Sequence, residues 1–229
     1  AVFLCIILST PLAAQVTAPV HAGPLLEGAA LPDPVSAQAS GEDRARAGLY
    51  SLLAALLREV PEAQLLDRVA ALDAATGRDA FALAWEGLRL AAGQVTPAEA
   101  DDEYHRLFIG LGRGELVPYG SWYQTGFLME LPLGALRRDL AALGFERAPG
   151  VHEPEDHVAA LCEVMAQLAL DPDIPVERQR GFFRAHIGPW IRRFCRDLDA
   201  VPAAPLYGAV GRLAAAFFEI EGRYLEIQG

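Results

Sequence analysis

Apolar side chains recur at spacings of three and four along most of this sequence, in blocks that end at glycine or proline. That period matches one face of an α-helix and not the alternation of a strand. Leu49, Leu52, Leu53, Leu56 and Leu57 form the first block, with Asp43 as its expected cap and Pro61 as its stop. Leu65, Leu66, Val69 and Leu72 form a second that ends near Gly77. Phe81, Leu83, Trp85, Leu88 and Leu90 fill a third, stopped by Gly93. Thr96-Pro97 supplies a cap and a first-turn proline for a helix through Tyr104, Leu107 and Phe108. Later blocks centre on Leu136, Leu161, Phe183, Phe194 and Leu213. Composition agrees, because 41 alanines stand against 27 Val, Ile and Thr together, and alanine favours helix where β-branched residues favour strand. The expected fold is all-α, a single-domain bundle of roughly eight to ten helices. No repeat of fixed period is visible, which argues against a solenoid.

The charge balance narrows the function. There are 19 basic residues, all arginine, against 30 acidic ones, for a net charge of −11. A nucleic-acid binder needs a basic footprint, so that class is disfavoured. A partner carrying positive charge fits better. The three cysteines, Cys5, Cys162 and Cys195, are too few and too scattered for a disulfide framework or a zinc site. That usage suits a reducing compartment.

Residues 1–41 differ from the rest. They hold no arginine, an apolar run from Ala1 to Leu8, and prolines at 11, 19, 24, 32 and 34. Val20-His21-Ala22 resembles a signal cleavage site, but no positive segment precedes the run. The run is also shorter than the roughly 20 residues that span a bilayer. The segment is set apart as a poorly ordered extension, either a leader fragment or the product of a mis-called start. The helical domain is placed at 42–229.

Three stretches invite a chemical reading. In Glu103-Tyr104-His105-Arg106-Leu107-Phe108, the apolar members Tyr104, Leu107 and Phe108 share one helix face. Glu99, Asp101, Asp102 and Glu103 edge that face with negative charge, which also suits the start of a helix dipole. The glycines from Gly110 to Gly120 lack the order of a phosphate loop, and no Gly-Lys-Ser/Thr follows. An ordered loop that presents Tyr119, Trp122 and Tyr123 is expected there instead. In His152-Glu153-Pro154-Glu155-Asp156-His157, Pro154 is expected to start a helix and to leave His152 and Glu153 outside it. The cluster is not His-Glu-x-x-His, and no second Glu-x-x-His completes a di-metal bundle site. Ser121 lies in no Gly-x-Ser-x-Gly elbow, so nothing argues positively for catalysis.

Together these stretches resemble one family. Tyr104-His105-Arg106-Leu107-Phe108 is similar to its aromatic-x-x-Leu-Phe motif. Pro118-Tyr119-Gly120-Ser121-Trp122-Tyr123 resembles its Pro-aromatic-x-Ser-x-Tyr loop. Glu153-Pro154-Glu155-Asp156-His157 matches its Glu-Pro-x-Asp-His motif, and Phe182-Phe183-Arg184-Ala185-His186-Ile187-Gly188-Pro189-Trp190 its Phe-Phe-x-x-His-x-x-Pro-Trp signature. The family is the TorD/DmsD/NarJ group of molybdoenzyme-maturation chaperones. The resemblance implies a non-enzymatic cytoplasmic chaperone. It would bind the twin-arginine signal peptide of a molybdopterin oxidoreductase precursor, with the mature part as a further contact, and hold it from export until the cofactor is inserted. It implies a peptide site at Tyr104, Leu107, Phe108, Tyr119, Gly120, Trp122, Pro154, Asp156 and His157. It also implies a monomer or a domain-swapped dimer, with a hinge between Gly144 and Pro154 around Pro149 and Gly150. GTP has been linked to the group, but no phosphate motif supports it here, and no cofactor or metal is expected. A cytoplasmic role is also what favours a mis-called start over a secretory leader. Two other classes compete: a helical scaffold without leader specificity, and a metal-dependent hydrolase built on His152, Glu153, Asp156 and His157.

Overall fold

A computed structural model describes residues 26–27, 39–110, 114–147 and 152–228. Among them are ten α-helices and one short two-stranded pairing, so the all-α expectation holds. The apolar run at the N-terminus, the cleavage-like tripeptide, Cys5 and the hinge residues Pro149 and Gly150 lie outside the described residues.

Helix α1 (Gly41–Arg58) buries the predicted leucines. Its cap is Ser40 and not Asp43: the Ser40 hydroxyl accepts from the Asp43 amide at 3.0 Å, which leaves Asp43 inside the first turn. Helix α2 (Ala63–Ala70) is shorter than its apolar stripe suggested. Helix α3 (Ala80–Gln94) buries Phe81, Ala84, Trp85, Leu88 and Ala92. Leu83 and Leu90, counted in that stripe from the sequence, point to solvent instead. The true stripe is completed by alanines, whose small side chains hide its period.

Helix α4 (Pro97–Tyr104) opens with a full capping box, in which Thr96 Oγ1 accepts from the Glu99 amide and the Glu99 carboxylate accepts from the Thr96 amide. It does not continue as an α-helix through Phe108. His105–Ile109 form a π-helical turn, closed by the Gly110 amide on the His105 carbonyl at 2.7 Å. Next come α5 (Gly120–Thr125), α6 (Leu131–Ala142), α7 (Val158–Leu170), α8 (Val176–His186), α9 (Ile191–Asp199) and α10 (Pro205–Gln228). Strand β1 (Leu26–Glu27) pairs antiparallel with β2 (Glu146–Arg147), so two residues of the extension set apart from the fold contact its body.

α1 and α7 pack along each other, and α10 lies against α9, α3 and α8. A buried ion pair fastens the first helix to the last. Arg46 is held by Glu221 through Nε at 2.9 Å and Nη2 at 2.7 Å, while Gln179 and Asp43 take its other donors. The Tyr50 hydroxyl donates to the same Glu221. Cys162 and Cys195 are buried and unbridged, and burial pushes the Cys195 thiol up to about 12. Among the described residues no helix is long and apolar enough to cross a membrane.

Candidate functional site

The π turn, the segment that follows it and the Glu153–His157 turn are stitched together by backbone. The Leu116 amide donates to the Leu107 carbonyl at 2.8 Å, and the Glu115 amide to the Arg106 carbonyl at 3.3 Å. Gly114 permits that approach, because a Cβ there would sit 2.3 Å from the Leu107 carbonyl oxygen. Further on, Tyr119 and His157 face each other in an antiparallel bridge. The Val158 amide donates to the Pro118 carbonyl and the Gly120 amide to the Asp156 carbonyl, both at 2.9 Å.

Side chains reinforce this seam. Asp156 Oδ2 accepts from the Ser121 amide at 2.6 Å, at the start of α5. The Tyr119 hydroxyl donates to the Glu153 carboxylate, and the Tyr119 ring meets the His157 ring edge-on at 5.0 Å between centroids. Helix α5 therefore begins at Gly120, inside what the glycines suggested was loop. Trp122 and Tyr123 lie on this helix. Tyr123 stacks on Trp190 and donates to Asp197 at 3.1 Å.

The acidic motif is also not the helix start that Pro154 suggested. Residues 154–157 form a turn, closed by the His157 amide on the Pro154 carbonyl. Helix α7 begins at Val158, capped by His157 Nδ1, which accepts from the Ala159 amide at 3.1 Å. That bond places the ring proton on Nε2. Burial holds the His157 pKa at about 4.

The carboxylates divide by environment. Burial pushes the Glu153 carboxyl up from its ordinary value, and the nearby charge of Asp156 adds to this. Burial would raise Glu155 as well, but hydrogen bonds from Arg137 and Arg147 hold it low. Glu99 is held low by its cap bonds to Thr96. Glu103, raised by burial, accepts from the Leu206 and Tyr207 amides and so caps α10. Of the four acids before Tyr104, Glu99 and Glu103 are thus spent on helix ends. Asp101 pairs with His105, and Asp102 stays exposed. Inside the seam, Asp156 Oδ1 and Ser121 Oγ are buried without a hydrogen-bond partner among the described residues.

The nine residues expected to form a site fall into two sets. Leu107, Gly120, Asp156 and His157 are buried and frame the seam. Phe108, Tyr119, Trp122 and Pro154 are half-buried at its surface. Tyr104 lies between the sets: it is buried, and its hydroxyl donates to the Arg58 carbonyl. Burial pushes that phenol up to about 12, and the negative charge of Glu153 contributes, which ties the aromatic cluster to the acidic turn. Phe108 packs on Tyr104 at 5.1 Å and on Tyr207 at 5.3 Å. Tyr207 and Glu153 complete the arrangement: the sequence offered Glu153 only as part of its motif and of the hydrolase alternative, and did not single out Tyr207. Glu153 opens the motif, though it was not placed in the peptide site; Tyr207 comes from a distant helix without a local signal.

A cavity of about 380 Å³ opens beside α5, lined by Leu116, Trp122, Tyr123, Arg193 and Asp197 among others. A second, of about 720 Å³, lies between α1, α3 and the distal half of α10, and no expected site residue lines it. No group of three or more His, Cys, Asp or Glu among the described residues could hold a metal ion.

Comparison with known proteins identifies the family of the chain. Residues 75–196 match the family model described as nitrate reductase delta subunit. The chain is 28% identical over 148 residues to the chaperone protein TorD of Vibrio cholerae serotype O1, covering 60% of this chain and 67% of that one. It is 22% identical over 134 residues to the TorD chaperone of Vibrio parahaemolyticus, covering 54% and 62%. A crystal structure of a candidate redox enzyme maturation protein from Archaeoglobus fulgidus shares the fold, with a TM-score of 0.53 at 19% identity over 76% of this chain and 93% of that one. The family match spans more than half of the chain, and the chain belongs to the nitrate reductase delta subunit family, with TorD chaperones among its relatives.

Proposed function

We propose that this protein is a cytoplasmic maturation chaperone that binds the twin-arginine leader of a molybdopterin oxidoreductase precursor and retains it until the cofactor is in place. The observation that carries the reading is the Tyr119–Glu153 contact, which sets a partly desolvated carboxylate against the half-buried Tyr119 and within electrostatic reach of Tyr104, the ring on which Phe108 packs. A leader of this class carries two guanidinium groups followed by an apolar stretch. Carboxylates suit guanidinium groups through charge-assisted, bidentate hydrogen bonds. Aromatic anchors suit an apolar helix laid in a groove. The net charge of −11 supports capture of a cationic segment.

The test is calorimetric titration of the full chain with a synthetic twin-arginine leader and its twin-lysine counterpart. The arginine peptide is expected to bind at least about tenfold tighter, since lysine cannot reproduce the planar fork. Equal binding would replace leader recognition with a general helix-binding scaffold.

A further inference from the structure

The connection between α5 and α6, together with the first residue of α6, exposes four large apolar side chains within five residues. Phe127 is 67% exposed, Leu128 46%, Met129 68% and Leu131 87%. Folded proteins seldom leave so dense an apolar patch in water without a use for it. The segment is ordered by its own hydrogen bonds: the Gly126 amide donates to the Trp122 carbonyl at 2.8 Å, and Thr125 Oγ1 accepts from the Phe127 amide at 3.2 Å. Met129 sits at φ 59°, the left-handed region that an L side chain enters at a cost. A strained residue that holds an apolar tip outward points to function.

We propose that this tip, Phe127 to Leu131, receives the apolar stretch of the leader whose arginines meet the Glu153–Asp156 side of the seam. The inference rests on the leader reading given above. Continuity comes first. Helix α5 starts where Asp156 caps Ser121, carries Trp122 at the surface, and ends at the tip. Six helical residues span about 9 Å. An arginine pair and the apolar residues that follow it bridge that distance in a few positions.

Area and charge dispose of other occupants. Four partly exposed side chains offer on the order of 500 Å², short of the roughly 800 Å² per partner of a stable interface. The patch alone is therefore too small to hold a second copy. A lipid surface is disfavoured too, because the only charge on the tip is Glu130 and the chain carries −11, whereas surface-seeking segments use basic residues against anionic lipid. A cationic, apolar peptide meets both conditions.

The experiment uses the full chain as wild type, as the double variant Phe127→Ser/Leu131→Ser and as Glu153→Gln. Each is titrated with two synthetic peptides. One carries an arginine pair followed by about ten Leu and Ala residues, a typical leader core; in the other, Gly and Ser replace that stretch. The tip variant is expected to lose at least tenfold in affinity for the first peptide and nothing for the second, while Glu153→Gln weakens both. Unchanged melting of the tip variant shows that its fold is intact. The inference is overturned if the tip variant binds the first peptide as wild type does, or loses equally for both. Wild type that binds both peptides alike also overturns it but leaves the leader reading standing, whereas wild type that binds neither overturns both. Light scattering that shows a dimer lost in the tip variant, or flotation of wild type with phosphatidylcholine vesicles, assigns the tip elsewhere and overturns it as well.

Discussion

The carboxylate of Asp156 takes the backbone amide of Ser121 at 2.6 Å. One acid thus joins the Glu-Pro-x-Asp-His turn to the helix that carries Trp122. Asp156→Ala removes this cap and is expected to lower stability by about 0.5–2 kcal/mol, read from the urea midpoint. Asp156→Asn keeps an acceptor and the shape, so most of that stability returns. Leader affinity stays low in both variants if the charge meets the arginines. Full affinity in Asp156→Asn would confine the residue to a structural part.

His157 links stability to pH. Its pKa is about 4 in the folded chain and about 6.5 when unfolded. Between those values the unfolded chain holds more protons, so stability rises with pH. The contribution is complete above about pH 6.5, shrinks as pH falls, and is gone by about pH 4, an effect on the order of 3 kcal/mol. Asn is a good helix cap and does not titrate here. His157→Asn is therefore expected to flatten this part of the stability curve, measured by denaturant midpoints from pH 7.5 to 4.

Neighbouring residues Leu107 and Phe108 are expected to separate folding from recognition. Leu107 is fully buried, and Leu107→Ala is expected to cost about 2–5 kcal/mol. Phe108 is half-buried against Tyr104 and Tyr207, so Phe108→Ala costs less stability but more leader affinity. Paired melting and titration of the two variants reads this crossover; the same order in both would remove Phe108 from the peptide surface.

The contrast between these residues also shows what the sequence carried. The leucines of α1 were legible, because a stripe of large side chains shows its own period. The face of α3 was misjudged, because Leu83 and Leu90 are as apolar as core residues but lie on the outer side, where Ala84 and Ala92 take the core positions. The π turn at His105–Ile109 has no compositional signature, and nothing in the sequence marks Gly114 as the glycine whose backbone lies against Leu107. Pro154 looked like a first-turn proline, yet the cap is His157, whose buried ring does the work usually given to Ser or Asp. Motif spacing found the residues of the seam but could not tell those at its surface from those that hold the others in place. That division depends on burial, which the third dimension decides.

Glu221→Ala strands a buried guanidinium and is expected to destabilise the chain by about 3–5 kcal/mol. Replacing both partners, as Arg46→Met/Glu221→Leu, leaves no charge behind and is expected to recover most of that loss. A double-mutant cycle in urea measures the coupling; additive losses would mean that Gln179 and Asp43 alone satisfy Arg46.

This same pair governs when the protein can finish folding during synthesis. Arg46 and Glu221 are 175 positions apart, and Glu103 waits 104 positions for Tyr207. Both late partners sit on the 24-residue final helix. While that helix is still in the ribosomal tunnel, Arg46 lacks its bidentate counter-ion and the inner faces of α1 and α3 lack their cover. Growth of the chain, and not local helix formation, therefore sets the moment of closure. Until then the nascent protein exposes apolar surface of the kind that folding helpers shield.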